Sequence, residues 1–285
     1  FSDGKPLTAA DIVFTLKTIK NPFVDDAALR NYFDMIEKAE MVDNDPYKVK
    51  FILTKPNWRG LYTLAGFQVL PKHILDPGNV TDRFNWDEFK DMKVAQKNPD
   101  MQKFADFMNS QEVSREAKYL VGSGPYMFEK WDTGAGVTLV KNPNYWGGGT
   151  VTPNYPTKII FKTIQDNSAA LVAAKNKEVD AMYVIKPSDF YKDLENADQF
   201  SLLKARPYEP AYTYLAWNQL NPLFQDKVVR LALAHLVDRK TIIDKVMFGD
   251  GTPIQSHIFY KNTKLLNADL PEIQYDPEKA KKLLE

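Results

Sequence analysis

The residue types that carry acid–base, nucleophilic or metal chemistry are sparse and scattered. The three histidines, His73, His235 and His257, lie far apart. None falls at the short helical or strand spacing that brings two imidazoles to one metal ion. His235 sits on the apolar stripe of a predicted helix and reads as a core histidine. Cysteine is absent, which excludes disulfides, thiolate ligands and a thiol nucleophile. Ser123 lies between glycines in Gly122-Ser123-Gly124-Pro125, but a nucleophile elbow needs Gly-x-Ser-x-Gly between a strand and a helix, and here a strand follows. Gly147-Gly148-Gly149 is not followed by Gly-Lys-Ser/Thr, so it makes no phosphate cradle. Asp25 and Asp26 are adjacent and read as solvated. No metal or cofactor is expected. A hydrolase or transferase would need a convergent nucleophile, base and orienter that these residues do not supply. What stands out instead is aromatic: 14 Tyr, 17 Phe and 5 Trp. Such residues fill cores or line a ligand cleft.

The surrounding chain is ordinary for a soluble fold. Its 285 residues suffice for one large domain or two to three lobes. Lysine plus arginine and aspartate plus glutamate are both 37, so the basic excess that neutralises nucleic-acid phosphates is missing, and no nucleic-acid partner is expected. No stretch approaches the roughly 18 apolar residues of a membrane span. The chain opens on what reads as the end of a strand and a turn and closes inside a helical pattern, so both ends are expected to be cuts within a longer protein.

The elements that position these residues follow from periodicity and punctuation. Thr8 caps a helix whose apolar stripe is Ile12, Val13, Leu16 and Ile19, with Asp11 in its first turn, and Asn21-Pro22 ends it. Residues 48–53 read as a strand, 60–67 as an apolar run and 71–75 as a short helical turn. Residues 80–118 read as polar surface helices appended to a lobe. Residues 126–131 and 136–140 are two strands joined around Gly134. A strand at 158–164, a helix at 168–175 and a strand at 179–185 predict a right-handed βαβ unit with parallel strands. Further strands are expected at 200–205 and 212–217, then helices at 225–237 and 239–248, the latter stopping at Gly249. Asp276-Pro277 opens a last helix.

Several segments together resemble the family 5 extracellular solute-binding proteins, which include oligopeptide-, dipeptide- and nickel-binding components of ABC importers. Phe1-Ser2-Asp3-Gly4-Lys5-Pro6-Leu7-Thr8-Ala9-Ala10-Asp11-Ile12-Val13 is similar to that family's F-x-D-G-x-P-[LF]-T-A-x-D-V-V segment. Gly122-Ser123-Gly124-Pro125-Tyr126 resembles G-[TS]-G-P-Y, and Asn142-Pro143-Asn144-Tyr145-Trp146 resembles N-P-x-Y-W. Lys177-Glu178-Val179-Asp180 resembles G-E-[VI]-D, with Lys177 in place of the usual glycine. Asp226 to Leu233 resembles D-x-x-V-R-x-A-L, and Tyr275 to Leu284 resembles Y-[DN]-P-E-K-A-K-x-L-L. The match lies in their shared order over nearly the whole chain; residues 80–118 match nothing in it.

The resemblance implies an α/β, periplasmic-binding-protein-like fold (type II, hinged lobes) with an additional α+β domain, truncated at both ends. Residues 1–122 would be part of the additional domain, with the helical insert 80–118. Residues 123–212 would be part of the first ligand-binding lobe, and 213–285 the first half of the second. It implies capture of a small solute, foremost an oligopeptide, by hinge closure. The partner would be a membrane permease, and the location periplasmic or at the cell surface, with a lipid anchor open for the full-length protein. Within this chain the candidate ligand-contacting residues are Phe67, Tyr212, Tyr214, Trp217 and Asn218. On a crossing strand Tyr212, Tyr214 and Asn218 share one face and Trp217 takes the other. For Tyr145 and Trp146 interface packing is the reading, and for Arg230 a surface or interlobe ion pair. The same scaffold also suits a nickel chelate, an oligosaccharide or an opine, because fold does not fix ligand. A non-transport sensory or interaction domain is the reading from a different class.

Overall fold

The computed structural model describes residues 1–148, 153–183, 185–207, 211–256, 267 and 269–285. His257 lies outside them. The chain divides into two compact units, Phe1–Thr163 and Ile164–Glu285. The expected lobe boundaries at 122/123 and 212/213 are a different division, made by resemblance rather than by contacts.

The first unit is organised around helix α1, Ala9–Lys20. Its start is fixed by Asp11, whose carboxylate accepts from the backbone N–H of Thr8 at 2.8 Å and from its hydroxyl at 2.9 Å. The other oxygen of Asp11 accepts from the N–H of Lys72 at 2.9 Å, so the cap also anchors a distant segment. α1 contributes to two apolar clusters. Leu16 and Ile19 pack with Phe33, Met35, Ile36 and Ala39, which come from α2 (Ala27–Phe33), strand β1 (Ile36–Met41) and the turn between them. β1 pairs antiparallel with β2, Val49–Leu53. The sequence reading did not anticipate α2 or β1. Short helices α3 (Gly60–Ala65) and α4 (Lys72–Leu75) follow.

Phe14 faces the second cluster, with Leu75, Phe84, Ala95, Met101, Phe104 and Val113. Most of these belong to residues 80–118, including α5 (Met92–Ala95), α6 (Pro99–Met108) and α7 (Gln111–Arg115). The expectation of appended surface helices is therefore corrected. The segment is polar in composition because its helices are short and one-sided, yet it supplies most of one core. Phe14, Phe84 and Phe104 meet edge to face at about 6 Å between centroids, the favoured arrangement for aromatic quadrupoles.

Strands β3 (Tyr126–Asp132), β4 (Gly136–Lys141) and β5 (Lys158–Lys162) complete the unit as one antiparallel sheet in sequential order. β3 and β4 run from Tyr126↔Lys141 to Asp132↔Gly136, with a bulge between Phe128 and Lys130.

The second unit holds α8 (Asn167–Lys175), α9 (Lys227–His235), α10 (Arg239–Thr241) and α11 (Pro277–Leu284). α8, α9 and α11 open on an aspartate whose side chain accepts a backbone N–H, namely Asp166, Asp226 and Asp276, as helix starts require. α10 continues as a π-helical turn, Ile242–Val246. The predicted βαβ unit is not formed. β5 pairs antiparallel with β4, and among the described residues 179–185, 200–205 and 212–217 contain no strand. Their β-type composition is real, but a strand exists only where a neighbour supplies the ladder.

Candidate functional site

Three segments that carry the family resemblance converge on one hydrogen-bonded knot in the first unit. The N–H of Ser2 donates to the Gly122 carbonyl at 2.7 Å. Asn142 is buried; its amide donates to the Gly124 carbonyl at 2.8 Å and its oxygen accepts from the N–H of Asn144 at 2.9 Å. Asn144 in turn donates to the Ser2 carbonyl at 3.1 Å, and the Trp146 indole donates to the Ser123 carbonyl at 3.1 Å. These groups satisfy backbone carbonyls that belong to no regular element. The three motifs thus fasten one another through backbone carbonyls. Trp146 keeps a largely exposed face and meets Tyr145 at a tilt.

Two of the three histidines are among the described residues, one in each unit. His73 bonds Asp3 at 2.6 Å. His235 is buried, with Nδ1 2.7 Å from the Gln274 carbonyl, so it ties α9 to the approach of α11. Among the described residues no cluster of three or more ligating side chains is present. Among the described residues Arg230 makes no ion pair. Its guanidinium donates to the carbonyls of Phe224 and Gln225 at 2.7 and 2.8 Å and so closes the turn ahead of α9.

The five candidate ligand residues fall in both units. Phe67, in the first, is half-buried against the Leu16 and Ile19 cluster and meets Phe33 edge-on at 5.5 Å. The other four belong to the second unit. Tyr212 and Tyr214 are 46% and 70% exposed, with ring centroids 5.7 Å apart, the same-face placement that an extended segment gives residues two apart. Trp217 is half-buried beside Phe224 at 5.2 Å. The Asn218 side chain accepts from the N–H of Leu220 at 3.1 Å and its carbonyl accepts from Asn221 at 3.0 Å, which is a turn-forming role.

Sequence reasoning missed a second group of open side chains. In the first unit these are Trp58, Leu61 and Tyr62, and in the second Tyr183, Leu203 and Leu215. Nothing local marks the first group, because which side of α3 meets the core is decided by residues distant in sequence. A hollow of about 780 Å³ also lies in the first unit, lined by Asp11, Glu40, Lys72, His73, Asp76 and Asp82 among others. Several of its charged groups are already engaged: Lys72 pairs with Asp82 at 3.3 Å, Asp76 accepts from the N–H groups of Val80 and Thr81, and Glu40 pairs with Lys38 and Lys50.

The model of the bacterial extracellular solute-binding proteins, family 5, matches residues 1–285. The chain is 31% identical over its whole length to the oligopeptide-binding protein AppA of Bacillus subtilis, of which it covers 46%. It is 28% identical over 177 residues, 61% of the chain and 32% of the relative, to the nickel-binding periplasmic protein of Escherichia coli. Among solved structures it matches B. subtilis AppA in complex with a nonapeptide, with TM-score 0.71, 27% identity and coverage of 99% of this chain and 49% of that one. It also matches Campylobacter jejuni NikZ in complex with Ni(L-His), with TM-score 0.73, 26% identity and coverage of 99% and 48%. The chain thus spans about half the length of these full relatives. With a family match end to end and signature segments that knit into one fastening, the chain belongs to the bacterial extracellular solute-binding proteins of family 5.

Proposed function

We propose that the full-length protein is the ligand-capturing component of an ABC importer and that its solute is an oligopeptide. The observation that carries this is the alignment of the whole chain with an oligopeptide-binding relative at 31% identity. The aromatic character of Tyr212, Tyr214 and Trp217 fits a site that holds extended backbone with roomy, water-bridged side-chain pockets. The lobes follow the resemblance: 1–122 within the additional domain, 123–212 in the first ligand lobe and 213–285 opening the second. Capture is by hinge closure, delivery is to a membrane permease, and the site of action is extracytoplasmic, periplasmic or at the cell surface, with lipid anchoring compatible. The role is binding without chemistry.

A nickel chelate is the second reading, favoured by the nickel-binding relatives. A thermal-shift screen of the full-length protein against di- to penta-peptides, nickel chelates and oligosaccharides separates the two. A ligand at a hundred times its Kd stabilises the folded state by about 2.7 kcal/mol. Shifts of several degrees with peptides of varied sequence are expected; a response to nickel chelates alone would replace the peptide reading.

A further inference from the structure

A tether inside the second unit joins the two segments that the proposed lobe boundary at 212/213 separates. Tyr191 stands in the helical turn Asp189–Asp193 and Arg206 a short way beyond it, both before the boundary. Lys204 binds these two segments together, its ammonium donating to the carbonyls of Phe190 at 2.9 Å and Leu194 at 3.0 Å. Phe248 and Asp250 come after the boundary, where the π-helical turn Ile242–Val246 stops. Two left-handed residues in succession make that stop, Phe248 at φ +55° and Gly249 at +82°. Gly249 and Asp250 then donate their N–H groups to the carbonyls of Ile243 and Met247, each at 2.9 Å. The reversal lays the Phe248 ring on Tyr191, stacked at 5.8 Å and 17°, with the Lys192 ammonium 5.2 Å from its centroid. It also brings the Asp250 carboxylate onto the Arg206 guanidinium as an ion pair. The same carboxylate accepts from the Tyr191 phenol, and that hydrogen bond holds the phenol pKa above its ordinary value.

Left-handed backbone is unfavourable for a bulky side chain and persists only where the surroundings over-determine it. Here it secures the meeting of four groups from both sides of the boundary. Among the described residues each side has an apolar interior of its own. The cluster of Leu171, Leu194 and Ala197 lies before the boundary, and α9 and α11 pack on each other after it. A lone surface ion pair would contribute little; this carboxylate is shared by a guanidinium and a phenol and backed by a ring stack. Its members are all protein groups, so the tether can form before any solute arrives. Hinged capture includes the cost of ordering the lobes, and a contact made beforehand removes part of it. We propose that Arg206, Asp250 and Tyr191 form an interlobe tether that holds the solute-free lobes near one disposition and so raises solute affinity without contacting the solute. This rests on the hinged-capture reading and on the lobe division given with it.

The test uses the full-length protein with nitroxides on Ser168→Cys, in α8, and Lys227→Cys, in α9, one on each side of the boundary. Pulsed dipolar spectroscopy of the solute-free protein reads the spread of the distance between them. Arg206→Gln and Asp250→Asn should each broaden that spread, the double variant no further than either alone. Arg206→Asp combined with Asp250→Arg should narrow it again. Tyr191→Phe keeps the ring and removes the hydroxyl, so it should broaden the spread less. By titration calorimetry the Kd for Ala-Ala-Ala-Ala-Ala should rise about threefold to tenfold in each single charge variant. A spread and a Kd that stay at wild-type values in Asp250→Asn, with only the Tm lowered, would make the four groups a fastening inside one rigid body and overturn the proposal. If wild type binds no peptide, the peptide reading falls while the distance spread still decides the tether. Should Arg206→Gln fail to fold, Asp250→Asn and Tyr191→Phe carry the same test.

Discussion

Lys17 and Lys20 are both buried on α1, and burial pulls the pKa of each below the ordinary lysine value, because a charged ammonium loses hydration there. For Lys17 the nearby Asp82 carboxylate opposes this in part. Its ammonium is held instead by carbonyls, donating to Thr81 at 2.8 Å and Asp82 at 3.4 Å. Between the lowered folded pKa and about 10.5 the unfolded chain binds more protons than the folded one, so stability gains with rising pH. Other groups titrate in the same range, and a difference removes them: wild type minus Lys17→Met, followed by urea unfolding from pH 8 to 10. The difference should move in favour of wild type as pH rises, and parallel curves would show that Lys17 is not desolvated. Neither lysine's burial was legible in the sequence. Both lie on a stripe that reads as polar until residues 80–118 fold over it.

At the scale of elements, what was legible was local. Thr8 and Asp276 announce their helices because a cap and its partner N–H are three residues apart. The hairpin of β3 and β4 is likewise set by one short turn. The strands at 179–185, 200–205 and 212–217 were read from composition, which reports what suits a pleated surface and not whether a neighbour is present. The same limit applied to the candidate site. Alternation placed Tyr212 and Tyr214 side by side, but nothing local marked Trp58, Leu61 and Tyr62 as open, since that depends on which side of α3 meets the core. Gly136 shows how tightly a formed ladder is built. Its φ is +148°, and an added Cβ would overlap the backbone carbonyl of Phe161 on β5. Gly136→Ala should destabilise the first unit by roughly 3 kcal/mol through combined strain and lost pairing, read as a lowered urea midpoint. A midpoint unchanged within error would mean that β5 is not held in this register.

At the scale of the molecule, the two units differ in how large an apolar cluster they bury. The first has two clusters of six or seven buried apolar residues, sharing α1. Among the described residues the second has one cluster, built on Leu171, Leu194 and Ala197, and Tyr183, Leu203, Tyr214, Leu215 and Leu220 are each more than 60% exposed. Four of these five lie in segments with strand-type sequences that have no partner strand among the described residues. Unpaired backbone beside exposed apolar side chains is a template for pairing with another chain. Residues 1–285 produced alone are therefore expected to associate beyond the 32.6 kDa monomer, with a mass by light scattering that climbs with concentration. Leu203→Lys combined with Leu215→Lys should suppress that climb, because charge on an open edge blocks strand addition. A clean monomer at high concentration for the unaltered chain would show that these segments are covered within the molecule. Association that survives the double substitution would move its origin to the exposed Trp58, Leu61 and Tyr62 of the first unit, where Trp58→Ser would then be the variant that restores the monomer.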